Sequence, residues 1–428
     1  MSFSRNQIIV SGISGLVILF FILVFIGVIP GLKGSNQNTN QEISLVFWGV
    51  DSSGFIQPLI DAYTGTNPNV KITYRKIDSV SYEKTLIDAL ATGQGPDVLM
   101  FNNNWLAKHY NKIAPAPATQ ISVESVARLF PTVVRQNFVS NNQVYALPLY
   151  IDTLALLYNK SVLDAAAVAG LPKTWDEFQA LVPNLRKFNQ FNQITRPAAA
   201  IGGSDKSIDK ASDLLNELIM QFAGGPQNII SQDGAVYFKD DGLNALNFYL
   251  GFANPASSYN TWNDSLPYSL DSFADGSTAM IFNYASGFPK IKSRNPYLDF
   301  SVSQMPQLAP DGQPVNYADY WGLAVSKQSR NAVWAWHFIS SITTNPQTAE
   351  LYVQNASLPP ALLTLIEKYK NDAKFGVFAR QALTARSWLQ PDNTEVKKIF
   401  SDIIESVSNG KATAKDALDE AENAINSI

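Results

Sequence analysis

Trp48 closes a short apolar run, Ile43 to Trp48, and the polar turn after it carries Asp51 and Ser52. A flat indole beside a carboxylate and a hydroxyl can stack on the C–H face of a sugar ring and bond its hydroxyls. A tryptophan at a strand end is also an ordinary core residue. Phe101 to Trp105 reads FNNNW, three amides between aromatics: a hydrogen-bonding loop or an Asn-rich turn. Asp152 lies inside the apolar stretch LYIDTLALL. An unpaired carboxylate there is costly, so it must find partners, in a ligand or in the backbone of a hinge. Asn283 and Tyr284 follow the apolar Met280 to Phe282, and Trp321 follows Tyr320. Asp51 and Asp152 together would suit glycoside hydrolysis, which needs two carboxyl groups about 5–9 Å apart.

Other chemistries are poorly supplied. The 428 residues contain no Cys and only two His, His109 and His337. Disulfides, thiol catalysis, cysteine-ligated zinc and multi-histidine metal centres are thereby excluded. Neither histidine has a second metal ligand at useful spacing, and both read as structural or surface residues. With 32 basic and 36 acidic residues and no basic block, a nucleic-acid partner has little electrostatic support. An apolar fraction of 46% with 16% charge is a folded-protein composition. Gly93-Gln94-Gly95 meets Val98 where a dinucleotide fingerprint needs Gly, so it is a turn. No G-x-S-x-G, P-loop or zinc signature is present.

The elements that must position these residues alternate. Ile43–Trp48 reads as a strand, Phe55–Tyr63 as a helix, Val70–Tyr74 as a strand, Tyr82–Ala91 as a helix and Asp97–Phe101 as a strand. This β-α-β-α-β order opens an α/β sheet. Leu154–Tyr158 is a further strand. Thr174 and Glu177 form a capping box for a helix over about 174–188. Helices follow at about 209–223, 242–251 and 333–342, and the tail from Glu395 is mostly helical. Asp240-Asp241-Gly242 reads as a loop, which leaves a decorating metal open.

Ile8 to Ile29 is an uncharged run of 22 residues, long enough at roughly 33 Å to cross a bilayer core. It is expected to be an uncleaved signal anchor, with residues 1–7 as a cytoplasmic tail and 30–41 as a flexible tether. Arg5 and the amino terminus before the run, against Lys33 after it, favour an inside tail and an exported body.

Five segments then carry a resemblance: Phe47-Trp48-Gly49 with its polar turn; Gly95-Pro96-Asp97-Val98; Tyr145 to Pro148 through Asp152 to Lys160; Leu171 to Phe178; and Phe273 to Met280 with Trp321 to Lys327. In this order, over roughly 43–428, they resemble the extracellular solute-binding proteins of ABC importers, the sugar-binding group containing maltose-binding protein. The resemblance implies an α/β, two-lobed periplasmic-binding-protein-like fold with a hinge and an inter-lobe cleft, preceded by the transmembrane helix. Lobe 1 is expected from 42–150 plus 321–357 and lobe 2 from 155–316 plus 360–428. Crossings fall near Tyr150–Ala155, Val315–Trp321 and Ser357–Pro360.

The ligand-binding residues so implied are Trp48, Asp51, Ser52, Phe101, Asn104, Trp105, Asp152, Asn283, Tyr284, Trp321, Arg386 and Trp388. Relatives often place a stacking tryptophan after the strand that ends at Asn283. Here the matching position is about Ser286, so Tyr284, Phe288 or Trp321 must serve instead. Trp262 and Tyr268 line the cleft or pack loops. The expected partners are a small solute, a mono- or oligosaccharide, and the permease subunits of an ABC importer. The membrane is a partner through the N-terminal helix, the body is monomeric and extracytoplasmic, and no cofactor, metal or catalytic residue is expected. An anchored glycoside-acting enzyme and a ligand-binding ectodomain without a transporter are the alternatives.

Overall fold

The computed structural model describes residues 42–231 and 233–428. The tail, anchor and tether expected over 1–41 lie outside them. Among the described residues no helix is long and apolar enough to cross a membrane.

The chain opens with β1 (Ile43–Gly49), α1 (Ser53–Thr66), β2 (Val70–Lys76), α2 (Ser79–Ala91) and β3 (Val98–Asn102), the alternation read from the sequence. β1 lies between β2 and β3 and is parallel to both. Its pleat buries Leu45 and Phe47 while Ser44 and Val46 face outward, as period-2 geometry requires. α3 (Leu106–His109), β4 (Ile113–Ala114) and β5 (Leu147–Pro148) complete the first pass through this sheet.

A second sheet follows. β6 (Ala155–Asn159), α4 (Trp175–Leu185), β7 (Ala199–Ala200), α5 (Ala211–Phe222), α6 (Lys239–Gly251), β8 (Met280–Asn283), α7 (Phe288–Arg294) and β9 (Phe300–Ser303) build it in the order β7-β8-β6-β9. α4 carries the expected capping box, with Thr174 accepting from Glu177 N and the Glu177 carboxylate accepting in return. The box seats Trp175 and Phe178 against Phe282, the core of this half. Two boundaries differ from expectation. α4 ends at Leu185 because Lys187-Phe188 pairs with Ile194–Arg196, and Pro183 has already removed one helical N–H. Asp240-Asp241-Gly242 is the first turn of α6 rather than a loop, where carboxylates suit the helix dipole.

The chain then returns. β10 (Trp321–Ser326) inserts into the first sheet between β3 and β4, antiparallel to both, and also pairs with β5. α8 (Ala332–Thr344) and α9 (Pro346–Ala356) pack over this sheet, and α10 (Asn393–Ser408) and α11 (Ala414–Asn426) over the second half. The two sheets are therefore joined by three passages of chain. Tyr150 bridges Pro360, Thr153 bridges Ala318, and Leu154 N donates to Tyr317 O at 3.1 Å.

Gly322 marks how tightly β10 is seated. A Cβ there would lie 2.8 Å from the Phe138 ring and 3.1 Å from Ala146 Cβ. Gly322→Ala is expected to destabilise the protein by about 1–3 kcal/mol, read as a lower denaturant midpoint. An unchanged midpoint would mean that this sheet adjusts without cost.

Candidate functional site

β1 and β3 end beside one another at the edge of the first sheet, and the start of β10 joins them: Trp321 pairs with Asn102. The end of β8 lies opposite the start of β6, with Asn283 paired to Ala155. Both sheets thus present loop-bearing strand ends to the three passages, the position where open α/β sheets hold ligands.

The Asn run binds the second passage. Asn103 Oδ1 accepts from Tyr320 N at 3.1 Å, its Nδ2 donates to Ala318 O at 3.2 Å, and its backbone N–H donates to Tyr320 O. Asn102 Nδ2 donates to Asp319 Oδ1 at 2.9 Å, and Asn104 Nδ2 to the Tyr317 hydroxyl at 3.3 Å. Phe101 and Trp105 are buried. Trp105 stacks on Tyr82 and meets Phe101, His109 and Trp321 edge to face. Trp48 is also buried, with the Arg75 guanidinium over its ring at 4.8 Å. Trp321 is half-buried.

Asp51 accepts from the Tyr352 hydroxyl at 2.7 Å, and burial pushes its carboxyl up from the ordinary value. Ser52, half-buried, precedes α1 without a side-chain cap bond. Asp152 is buried in the first passage. Its Oδ1 accepts from Thr153 N and Ala285 N and its Oδ2 from Ser286 N, at 2.9–3.1 Å. The carboxylate therefore fixes the 284–287 turn, on which Ser286 is exposed. Burial pushes Asp152 up to about 7 against the opposing pull of these N–H groups.

In the second half, Asn283 donates to Asp209 at 3.0 Å and the Tyr284 hydroxyl donates to Asp213 at 3.1 Å. Arg386 is half-buried, in register with Tyr317. Trp388 is buried and donates to Asn216 at 2.9 Å. Trp262 is buried against Ser207, and Tyr268 donates to Asp209. Phe288 packs on Phe300.

Sequence reasoning did not single out the charges at the junction. Lys397 of α10 lies 3.0 Å from Asp213 and 3.2 Å from Asp319. Burial lowers its affinity for a proton, but the two carboxylates more than reverse this and hold the ammonium well above its ordinary range. Asp319 is drawn down: burial acts upward, and Lys397, Lys210 and Asn102 outweigh it. Tyr150 stays neutral, raised first by burial and then by the charges of Asp51, Asp152 and Asp319. Asp319 sits in the expected second passage and was within reach. Lys397 comes from a helix with no local signal. A further cross-junction pair joins Lys108 of α3 to Asp392, the N-cap of α10, at 2.5 Å. Lys108 also meets Glu83, which accepts from His109 at 2.8 Å. Neither Asp51 nor Asp152 is placed as a free carboxylate pair, and among the described residues no cluster of metal ligands occurs.

The sequence profile of the bacterial extracellular solute-binding proteins matches residues 58–377. The chain belongs to that family. A maltotriose-binding protein of Pyrococcus abyssi is 23% identical over 333 residues, 74% of this chain and 65% of that protein's length. An uncharacterised ABC transporter extracellular-binding protein of Pyrococcus horikoshii is 21% identical, over 79% of this chain and 75% of its own. Among solved structures, a solute-binding protein from Thermotoga lettingae bound with α-D-tagatose matches 90% of this chain and 99% of its own, with a TM-score of 0.71 and 21% identity. The sugar-binding protein MalE from Xanthomonas citri matches 90% and 96%, with a TM-score of 0.72 and 20% identity. These likenesses establish the two-lobed α/β periplasmic-binding-protein-like fold. The relatives are binding proteins, and the family is extracellular.

Two outcomes are expected for this solute-binding protein. Asp152 holds its proton from the ordinary value of 3.8 up to about 7 in the fold, while the unfolded chain releases it earlier. Its contribution to stability therefore falls as pH rises through that window and is level above it. Melting temperatures of the protein and of Asp152→Asn should diverge in slope between pH 4 and 7, and parallel curves would remove this assignment. Lys108→Ala removes a half-buried cross-lobe ion pair, the kind of pair that contributes about 0.2–1 kcal/mol. It should lower stability by about that amount, read as a lower denaturant midpoint. An unchanged midpoint would show that the pair contributes nothing to the fold.

Proposed function

We propose that the protein captures a saccharide between its two lobes outside the cell and delivers it to the permease subunits of an ABC importer. One observation carries the reading: Trp321, half-buried at the lobe junction, is propped edge-on by Tyr82 and Trp105, and its strand partner Asn102 holds Asp319. An indole so held offers an apolar face for sugar C–H groups, and nearby polar side chains suit the hydroxyls. The names of the relatives agree, since they speak of maltotriose, tagatose and sugars.

In this reading residues 42–150 plus 321–357 form lobe 1 and 155–316 plus 360–428 form lobe 2. Asp51, Ser52, Trp321 and Arg386, which are half-buried, meet the ligand directly. Trp48, Phe101, Asn104, Trp105, Asp152, Asn283, Tyr284 and Trp388 shape and brace the site from behind. Ile8 to Ile29 serves as the anchor, and the body acts as a monomer.

Tryptophan fluorescence of the protein, titrated with mono- and oligosaccharides, should show a saturable change. Trp321→Ala should weaken that binding at least tenfold, about 1.4 kcal/mol, with an unchanged circular dichroism spectrum. Silence across the sugars together with binding of peptides or polyamines would overturn the proposal.

A further inference from the structure

β9 is the outer strand of the second sheet, with β6 on one side of it. Beside it lies a cavity of about 440 Å³, within the range that holds small organic molecules. None of the residues assigned above to the saccharide lines it. Phe300 and Val302, two positions apart on the pleat, form one apolar wall, and Phe288 and Pro289 of α7 form the other. Phe288 meets Phe300 edge to face at 5.3 Å and Phe378 at 5.8 Å, which fixes that wall. Phe300 and Val302 are half-buried and Pro289 is exposed. Apolar surface on this edge is thus left in water, and covering it is favourable.

The charged groups on the lining are both cations, Lys292 and Lys374. Lys292 Nζ donates to Leu298 O at 2.8 Å and lies 5.1 Å from the centre of the Phe300 ring, and Lys374 Nζ lies 5.1 Å from that of Phe375. These contacts hold the ammonium groups against apolar walls without neutralising them. The carboxylates nearest in sequence are engaged elsewhere. Asp372 Oδ1 accepts the backbone N–H groups of Lys374 and Phe375, Asp299 pairs with Lys160, and Asp271 and Asp275 pair with Arg294. Exposed lysines keep a further strand from adding at a sheet edge. The same charges suit the cavity to a small anion with an apolar body.

We infer that this cavity is a second ligand site, which takes a small amphipathic carboxylate. The apolar body lies against Phe288, Phe300 and Val302, and the carboxylate faces Lys374 and Lys292. Ser301 and Ser357, on the same lining, carry hydroxyls that can donate to it. The inference stands apart from the saccharide reading, because the two sites share no residue.

Calorimetric titration of the protein with octanoate, octan-1-ol and octylammonium, each below its micelle concentration, compares one chain under three head-group charges. Octanoate should bind saturably at one site and at least tenfold more tightly than the other two, and more weakly in about 0.5 M NaCl as screening sets in. Lys374→Glu, at an exposed position, should weaken octanoate binding at least tenfold. Lys411→Glu, exposed and outside the cavity, should leave it unchanged. Melting curves establish that both variants fold, and the comparison of head groups on the unaltered protein stands without them. Absence of octanoate binding, binding indifferent to the head-group charge, or binding that Lys374→Glu leaves unmoved would overturn the inference. Each of these results leaves the saccharide reading intact.

Discussion

Asn103 gives the second passage between the lobes its partner. Its amide offers one acceptor and one donor at the spacing of a backbone edge, and Ala318 and Tyr320 take both. A strand that leaves one sheet for another must satisfy polar groups that neither sheet pairs. Here the side chains at the end of β3 do so, and the flanking asparagines fasten Asp319 and Tyr317. The run that reads as a loop rich in ligand donors is thus also the clamp on the strand that carries the junction's carboxylate.

Asp152 acts in the same way on the first passage. Its carboxylate collects three backbone N–H groups, one from the passage and two from the second half, which fixes the 284–287 turn relative to the passage. Removing such an acceptor would leave several buried donors unpaired, a larger loss than one surface contact. Of the ion pairs across the junction, Lys108 with Asp392 and Lys397 with Asp319 are half-buried alike, and Lys397 differs in also reaching the buried Asp213.

Much of the fold is legible from local pattern. The alternation of Ile43 to Phe101, the capping box at Thr174 and the helices of the second half follow from periodicity and capping chemistry, which act within a few residues. α4 stops short because Lys187-Phe188 finds pairing partners six to nine residues on, a contact that helical spacing does not register. Of the candidate residues, Asn104, Asp152 and Trp321 stand out in the sequence by type and context and lie at the passages in the structure. What type alone leaves undecided is which side chains face the ligand and which brace those that do.

Composition and short-range pattern suffice for the class of fold, the order of its elements and the exclusion of thiol and multi-histidine chemistry. It takes the folded chain to bring backbone N–H groups to the Asp152 oxygens, to set Asn103 in place of a missing strand edge, and to bring Lys397 to Asp319 some eighty residues away. Such meetings depend on how distant segments pack, and the energy of a buried charge is set by whatever neighbours that packing supplies.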